Sequence, residues 1–394
     1  MIRLEDHYFN FNKILLLTTG LWPYERSKLV HLRFVLFSGI LISSIIFQMT
    51  VFLTSRCTPD LIIKVLSNAI LFSTATAKYI LFGIDFKAMK ELLELLQHIY
   101  DELKDENETA IIDKYGYDAK RVTIFLTMFG MSGASVLIII QLSSDIFDII
   151  VTTNISQPHR FLMITEYFID QEKYFYLIML HINITIYLSV VTAIAIGTML
   201  ISFCHHICGI FKVACYRIEH SMKFNVLKDN NKLNNKMLIS EKIICAIDMH
   251  RQAMKLSLGL VSRYEVMMSY LIIFGVTSLS LNLFQIFKGA TSGDDIREMI
   301  PPFIYILIII LYMFVANYLG QDLTDHNRDV IIAAYNVEWY IAPLYIQRLI
   351  LFLLRKGCTD FTVNIGGLFI PSLEGFTTLV KTSASYFTVI YSTR

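Results

Sequence analysis

The chain has 394 residues, of which 55% are hydrophobic and only 17% charged, with a formal net charge of +1. A water-soluble domain carries roughly a quarter charged residues, so much of this surface meets something other than water, and a mean hydropathy of +0.55 points to a bilayer. The balanced charge excludes a global field aimed at nucleic acid or an acidic substrate, and the 13% aromatic content, mostly Phe and Tyr, suits lipid-facing and interfacial surface.

A helix crosses the hydrocarbon core with about 20 apolar residues. Residues 1–33 hold only a short apolar stretch near Ile14 and no small-residue cleavage site, so the first apolar helix is expected to stay as an anchor. Spans are expected over residues 34–53 and 61–84, the second interrupted by Lys78. Residues 85–106 then read as an amphipathic helix continuing span two, with Met89, Leu92, Leu93, Leu96 and Ile99 on one stripe. Further spans are expected over 122–142, 174–203, 256–287, 303–319 and 371–391, which makes seven. Residues 340–354 are apolar but too short, and broken by Pro343 and Arg348, so they read as a re-entrant or protein-buried helix. Pro23, Pro59, Pro158, Pro301, Pro302 and Pro371 are placed in loops or first helical turns, where a missing N–H costs little. The fold class is therefore an all-α polytopic membrane protein.

Orientation follows from the Lys and Arg count in alternate loops. The side carrying the N-terminus holds 24 of the 34 and the opposite side 7, with Lys78, Arg263 and Lys381 inside spans. Positive charge stays on the cytoplasmic face, so the N-terminus is expected inside and the C-terminus outside. Three N-x-S/T sequons occur, at Asn107, Asn154 and Asn183; only Asn154 falls in an outer loop and is a candidate glycan site. Five of the six cysteines fall on or near the reducing side, and Cys57 alone faces out, so no outer disulfide is expected. The loop between spans four and five and the stretch 321–355 lie on the cytoplasmic side and are expected to pack with 85–106 as a helical domain.

Ionisable groups inside spans are costly and tend to face protein or water. Lys78 and Arg263, near the inner ends, are expected to snorkel toward the headgroups. Lys381 lies in the middle of the last span and is expected to face a hydrated cavity, a pore or a partner chain. No Walker, H-E-x-x-H, G-x-S-x-G or G-x-G-x-x-G motif occurs, which leaves no case for an enzyme. Cys204, His205, His206 and Cys208, followed by Cys215 and His220, have metal-ligand content but unusual spacing at a span end. They read as a helix end with buried thiols, and no metal or other cofactor is expected.

Seven spans invite comparison with G-protein-coupled receptors, but the orientation is opposite and no N-P-x-x-Y is present. The C-terminal quarter resembles insect odorant receptors instead. It holds Trp339, an Arg-rich turn from Arg348 through Gly357, a G-x-F-x-P at Gly367, Phe369 and Pro371, and a K-x-S-x-S-Y-F-T from Lys381 to Thr388. The T-Y ending followed by Q-F that marks gustatory receptors is replaced here by Ser385, Tyr386, Ser392 and Thr393. The shorter length resembles a ligand-selective tuning subunit and not the family's co-receptor.

The resemblance implies a ligand-gated, non-selective cation channel, a heterotetramer with the co-receptor subunit, in the plasma membrane of a sensory-neuron dendrite. It divides the chain into a cytoplasmic segment 1–33, spans one to six with ligand pocket over 34–320, cytoplasmic anchor helices over 321–370 and a pore-lining helix over 371–394. A small volatile ligand then binds in the outer half of the bundle. A pocket for it should be apolar and aromatic with one or two hydrogen-bonding groups, for which Phe72, Ile138, Gln141, Tyr174, Met179, His181 and Tyr305 are the candidates. By position Val389, Ser392 and Thr393, with Lys381 deeper, resemble the pore lining. The competing readings are a non-conducting seven-helix chemoreceptor that signals through cytoplasmic partners, a gustatory-type channel, and a transporter, whose inverted repeats are not visible.

Overall fold

The computed structural model describes residues 7–25, 27–150, 163–223, 232–292, 296–357, 364–367 and 369–393. Helix α1 is Asn10–Thr19 and closes on Gly20 in the left-handed conformation at φ +73°, whose N–H reaches the Leu16 and Leu17 carbonyls. Helix α2 is Lys28–Met49, opened by Ser27, whose hydroxyl accepts from the Val30 N–H at 3.2 Å. A short α3, Val51–Thr54, follows. Helix α4 is Pro59–Ile84, with Thr58 as cap, Pro59 in its first turn and Asp60 beside the positive end of the dipole.

The remaining helices are α5, Phe86–Asp101; α6, Glu106–Ile150; α7, Phe175–Lys223; α8, Lys232–Ser292; α9, Ile296–Asn336; α10, Leu344–Gly357; and α11, Leu373–Ser392. A 3₁₀ turn at Trp339–Ile341 joins α9 to α10. No strand forms among the described residues; the one β-bridge pairs Ile365 with Phe369 across a turn in which Gly366 and Gly367 both have positive φ.

Among the described residues six helices are long and apolar enough to cross a bilayer: Lys28–Thr54, Pro59–Ile84, Glu106–Ile139, Phe175–Ser221, Ile239–Ser292 and Met299–Asn336. They correspond in order to the first six expected spans. Helix α11 is 20 residues long, enough to cross as well, but it carries Lys381 and a run of hydroxyls that lower its hydropathy.

The helices run far beyond the spans read from hydropathy. Helix α8 has 61 residues, roughly 90 Å at 1.5 Å per residue, against a hydrocarbon core of about 30 Å. The surplus of α6, α7, α8 and α9 gathers at one end of the bundle, where α1, α5 and α10 pack against it. The main core lies there, built on Phe9, Phe82, Leu96, Phe203, Phe211 and Leu256, each completely buried. The stripe Met89, Leu92, Leu93, Leu96 and Ile99 of α5 is covered by this core.

Polar clamps hold the same end together. Arg217 of α7 meets Glu108 of α6 through two hydrogen bonds, Nε to Oε1 at 2.6 Å and Nη2 to Oε2 at 2.8 Å, with both side chains largely buried. Tyr79 donates to the Thr19 carbonyl at 2.8 Å, tying α4 to the end of α1. His250 Nε2 lies 2.7 Å from Asn327 Oδ1, joining α8 to α9 in a buried contact.

Several expectations are corrected. Span two does not continue unbroken: Asp85, at φ −100° and ψ 32°, ends α4 and a new helix starts at Phe86. Pro301 and Pro302 sit inside α9, where each removes one backbone hydrogen bond. The stretch 340–354 begins in the 3₁₀ turn and only from Leu344 becomes helical, as the half-buried amphipathic α10, with Ile346, Ile350 and Leu353 inward and Leu351 and Phe352 exposed. Arg263 does not reach out alone; its guanidinium pairs with Glu91 of α5 at 2.6 Å. Lys78 does not snorkel either, being 6% exposed, with Nζ 3.6 Å from the centre of the Tyr312 ring.

Candidate functional site

A cavity of about 600 Å³ opens between α4, α6, α7, α8 and α9, and reaches the residues just before α11. Its size falls in the usual range for small-molecule pockets. Its wall is almost wholly apolar and follows from sequence spacing: α4 presents Leu71, Phe72, Ala75 and Lys78 at three- and four-residue intervals, which is one helical face. Helices α6 and α7 contribute Gly133 and Gly197 to the wall, and a Cβ built on either would meet nothing within 4 Å. These two glycines therefore face unfilled space.

Polar groups on the wall are few. Lys78 is its only charged side chain among the described residues, and no carboxylate lines it. Ser189 on α7 is buried, and its hydroxyl has no hydrogen-bond partner. Asn317 on α9 is buried and already engaged, donating through Nδ2 to the Met313 carbonyl at 2.8 Å and accepting from the Ser372 N–H at 3.2 Å. Ser372 is the cap of α11, its own hydroxyl accepting from the Gly375 N–H at 2.9 Å. At Gly320 the backbones close up, since an added Cβ would lie 2.5 Å from Pro371 Cβ. The cavity wall and the root of the last helix are thus one packed unit.

Helix α11 buries Leu379 and Ser383 against α8 and α9. Its other face is exposed and reads Glu374, Thr378, Lys381, Ser385, Thr388 and Ser392, a polar stripe at three- and four-residue spacing.

A second polar cluster sits where α6, α7 and α9 meet. Cys208 Sγ lies 3.4 Å from Asp322 Oδ2, His326 Nδ1 lies 3.2 Å from Asp322 Oδ1, and Tyr115 Oη lies 2.7 Å from His326 Nε2. Cys208, Asp322 and His326 bring ligand atoms close enough together for a metal ion. Of the cysteine–histidine run read in the sequence, Cys208 enters this cluster, whereas His206 Nδ1 lies 2.5 Å from Tyr100 Oη and His220 stacks on Tyr216.

The chain matches the family model for the 7tm odorant receptor over residues 58–384. The chain belongs to the 7tm odorant receptor family. Two solved structures are similar to it throughout. One is the insect olfactory receptor OR5 from Machilis hrabei in complex with eugenol, with a TM-score of 0.80, 14% identity and 99% of each chain covered. The other is OR5 from Machilis hrabei alone, with a TM-score of 0.76, 14% identity and 98% of each chain covered. At that identity the likeness is one of fold.

Within this odorant receptor the residues singled out from the sequence separate into groups. Phe72 and Tyr305, both 4% exposed, stand on the cavity wall. Ile138 lines a shallower groove with Phe37 and Tyr187. His181 belongs to another cluster: Nε2 lies 3.0 Å from Ser43 Oγ, Nδ1 lies 2.8 Å from Tyr167 Oη, and Phe47 stacks on Tyr167. Tyr174 is exposed at the start of α7, and Met179 is half-buried and off the cavity wall. The Gln141 side chain and Asn154 lie outside the described residues. Lys381, Val389, Ser392 and Thr393 are all exposed on α11. Sequence reasoning missed Lys78 as a wall residue, together with Leu71, Gly133, Gly197 and Ser189, because each is visible only once five helices are brought together.

Proposed function

We propose that this odorant receptor is a ligand-selective subunit of an odorant-gated, non-selective cation channel. The observation that carries the reading is the cavity of about 600 Å³, whose wall includes Leu379 of the last helix and Pro371 just before it. A small apolar ligand filling that space adds contacts to α4, α7 and α9 and to the root of α11 together, so it favours whichever arrangement of α11 those contacts fit. The polar stripe of α11 from Glu374 to Ser392 supplies a surface that water and cations tolerate, which suits a pore built by several copies of this helix. That OR5 from Machilis hrabei is a relative in fold with a eugenol complex supports a small-molecule ligand here.

In this reading the N-terminus and the extended helical end lie in the cytoplasm, as the 24 to 7 bias of Lys and Arg favours. The C-terminal end of α11 reaches the outer face. The partner is the co-receptor subunit in a heterotetramer, and the site of action is the plasma membrane of a sensory dendrite. Asn154 is the proposed outer glycan site.

Current recorded from cells expressing this chain with and without the co-receptor subunit tests the proposal. An odorant-evoked cation current that requires both chains is the expected result. A ligand response that depends on G proteins and carries no current of its own would replace the channel with a non-conducting receptor.

A further inference from the structure

Lys78 is the anomaly of the cavity. It is 94% buried by the 6% exposure of its side chain and backbone together, and it is the only charged residue among the described lining. Burying a cation in apolar surroundings is unfavourable unless something negative faces it. Within the described residues no carboxylate pairs with it; its contact is the face of Tyr312, 3.6 Å from Nζ to the ring centre. An aromatic face offsets only part of what a cation loses on leaving water. The cavity is thus an apolar container with one unneutralised positive group, an arrangement complementary to an apolar body that bears an anionic oxygen.

Resting on the reading of this cavity as the ligand site, we propose that Lys78 makes the receptor selective for small carboxylic acids, bound as carboxylates against Lys78 Nζ, over hydrocarbons of the same shape. The carboxylate supplies the counter-charge that the wall lacks, and it accepts hydrogen bonds from the three donors of the amine. A ketone supplies an acceptor without the charge and falls between acid and alkane. The alkane leaves the cation facing Tyr312 alone.

The receptor is co-expressed with its co-receptor subunit and challenged with straight-chain acids from butanoic to dodecanoic, with 2-ketones and alkanes of matching length. The unsubstituted receptor should rank acid over ketone over alkane at the best-fitting length. Lys78→Met should weaken the acid response roughly ten- to hundredfold, the range for a hydrogen bond to a charged group, and leave the alkane unchanged or improved. Lys78→Gln should keep the ketone response while losing the acid preference, and Lys78→Arg should keep the preference. Gly197→Leu, which fills open space on the same wall, should weaken all ligands together. A panel in which no acid activates or competes overturns the proposal, whatever the variants do. If Gly197→Leu weakens responses but Lys78→Met leaves the acid-to-alkane ratio unchanged, the selectivity assignment is wrong and the cavity stands. If Gly197→Leu, Phe72→Ala and Tyr305→Ala all leave responses untouched, the cavity itself is not the ligand site.

Discussion

The Asn317 side-chain oxygen accepts a hydrogen bond from the Ser372 N–H at 3.2 Å, joining the wall of the cavity to the cap of the last helix. Asn317 is 3% exposed, so this acceptor has no water to fall back on. Replacing it with Leu removes the acceptor and strands the Ser372 amide, at a cost of about 1–3 kcal/mol. Asn317→Leu should change basal current or maximal response more than it changes ligand potency, whereas Asn317→Asp keeps the acceptor and should act mildly. Full dose–response curves separate the two effects. A pure shift in potency with unchanged maximum would show that the contact belongs to binding and not to coupling.

Phe72 on α4 and Tyr305 on α9 both line the same cavity. Truncating a buried Phe costs about 3–5 kcal/mol in a tightly packed core, but less where space already adjoins the ring. Phe72→Ala and Tyr305→Ala should shift ligand potency severalfold while surface labelling stays near the level of the unsubstituted receptor. Potency unchanged in both would move the site elsewhere.

Val389 and Ser392 lie on the exposed side of α11, near its end, with Lys381 about two and a half turns below them. Charge at Lys381 sets the field along the polar stripe. Lys381→Glu should raise the preference for cations and alter rectification, and substitutions at Val389 or Ser392 should change conductance or basal current. Single-channel recording decides this, and an effect confined to ligand potency would take these residues out of the pore.

The paired hydrogen bonds between Arg217 and Glu108 cross from α7 to α6 in a largely buried setting. Removing one partner leaves the other charge uncompensated, which typically costs about 3–5 kcal/mol. Glu108→Ala should lower the thermal midpoint of the detergent-purified receptor and its surface level. Arg217→Lys should also be harmful, because a point charge does not reproduce the two-pronged geometry. A neutral outcome for both would mean that the apolar core alone sets stability at this end.

Tyr167 lies in the segment before α7, and burial pushes its phenol up to about 12. An unfolded tyrosine ionises near pH 10. The folded state therefore holds the phenol neutral, and its contribution is fully present below pH 10 and lost as pH rises from 10 toward 12. Thermal midpoints of the unsubstituted receptor should fall faster than those of Tyr167→Phe in that window, and the two should run parallel from neutral pH to about 9. Divergence below pH 9 would assign the effect to another group.

Much of the architecture was legible in the sequence because it rests on hydropathy. Six spans and the covered stripe of α5 follow from apolar runs and from three- and four-residue spacing. Hydropathy is blind to helix continuity in water, however. The 61 residues of α8 include a long polar half that stays helical because α5, α7 and α9 pack against it, which no local signal marks. Pro301 and Pro302 misled for a similar reason, since packing within α9 tolerates two missing amide donors. Of the ligand candidates named from the sequence, Phe72 and Tyr305 are the two that line the cavity. Lys78 was hidden because Tyr312, its aromatic partner, lies 234 positions away in the chain. His181 was assigned to the pocket as a polar group in an apolar span, and it answers instead to Ser43 and Tyr167.

The stripe on α11 has a consequence for a chain on its own. In lipid, Lys381 and the hydroxyls of Thr378, Ser385, Thr388 and Ser392 would stand against acyl chains, with Leu379 and Ser383 locking the helix so that it cannot roll them inward. The isolated protein is an unfinished object whose incompleteness is written along one side. In the proposed channel, a ring of such helices gives that side water to face. In that reading assembly is a condition of comfort in the membrane before it is a condition of signalling.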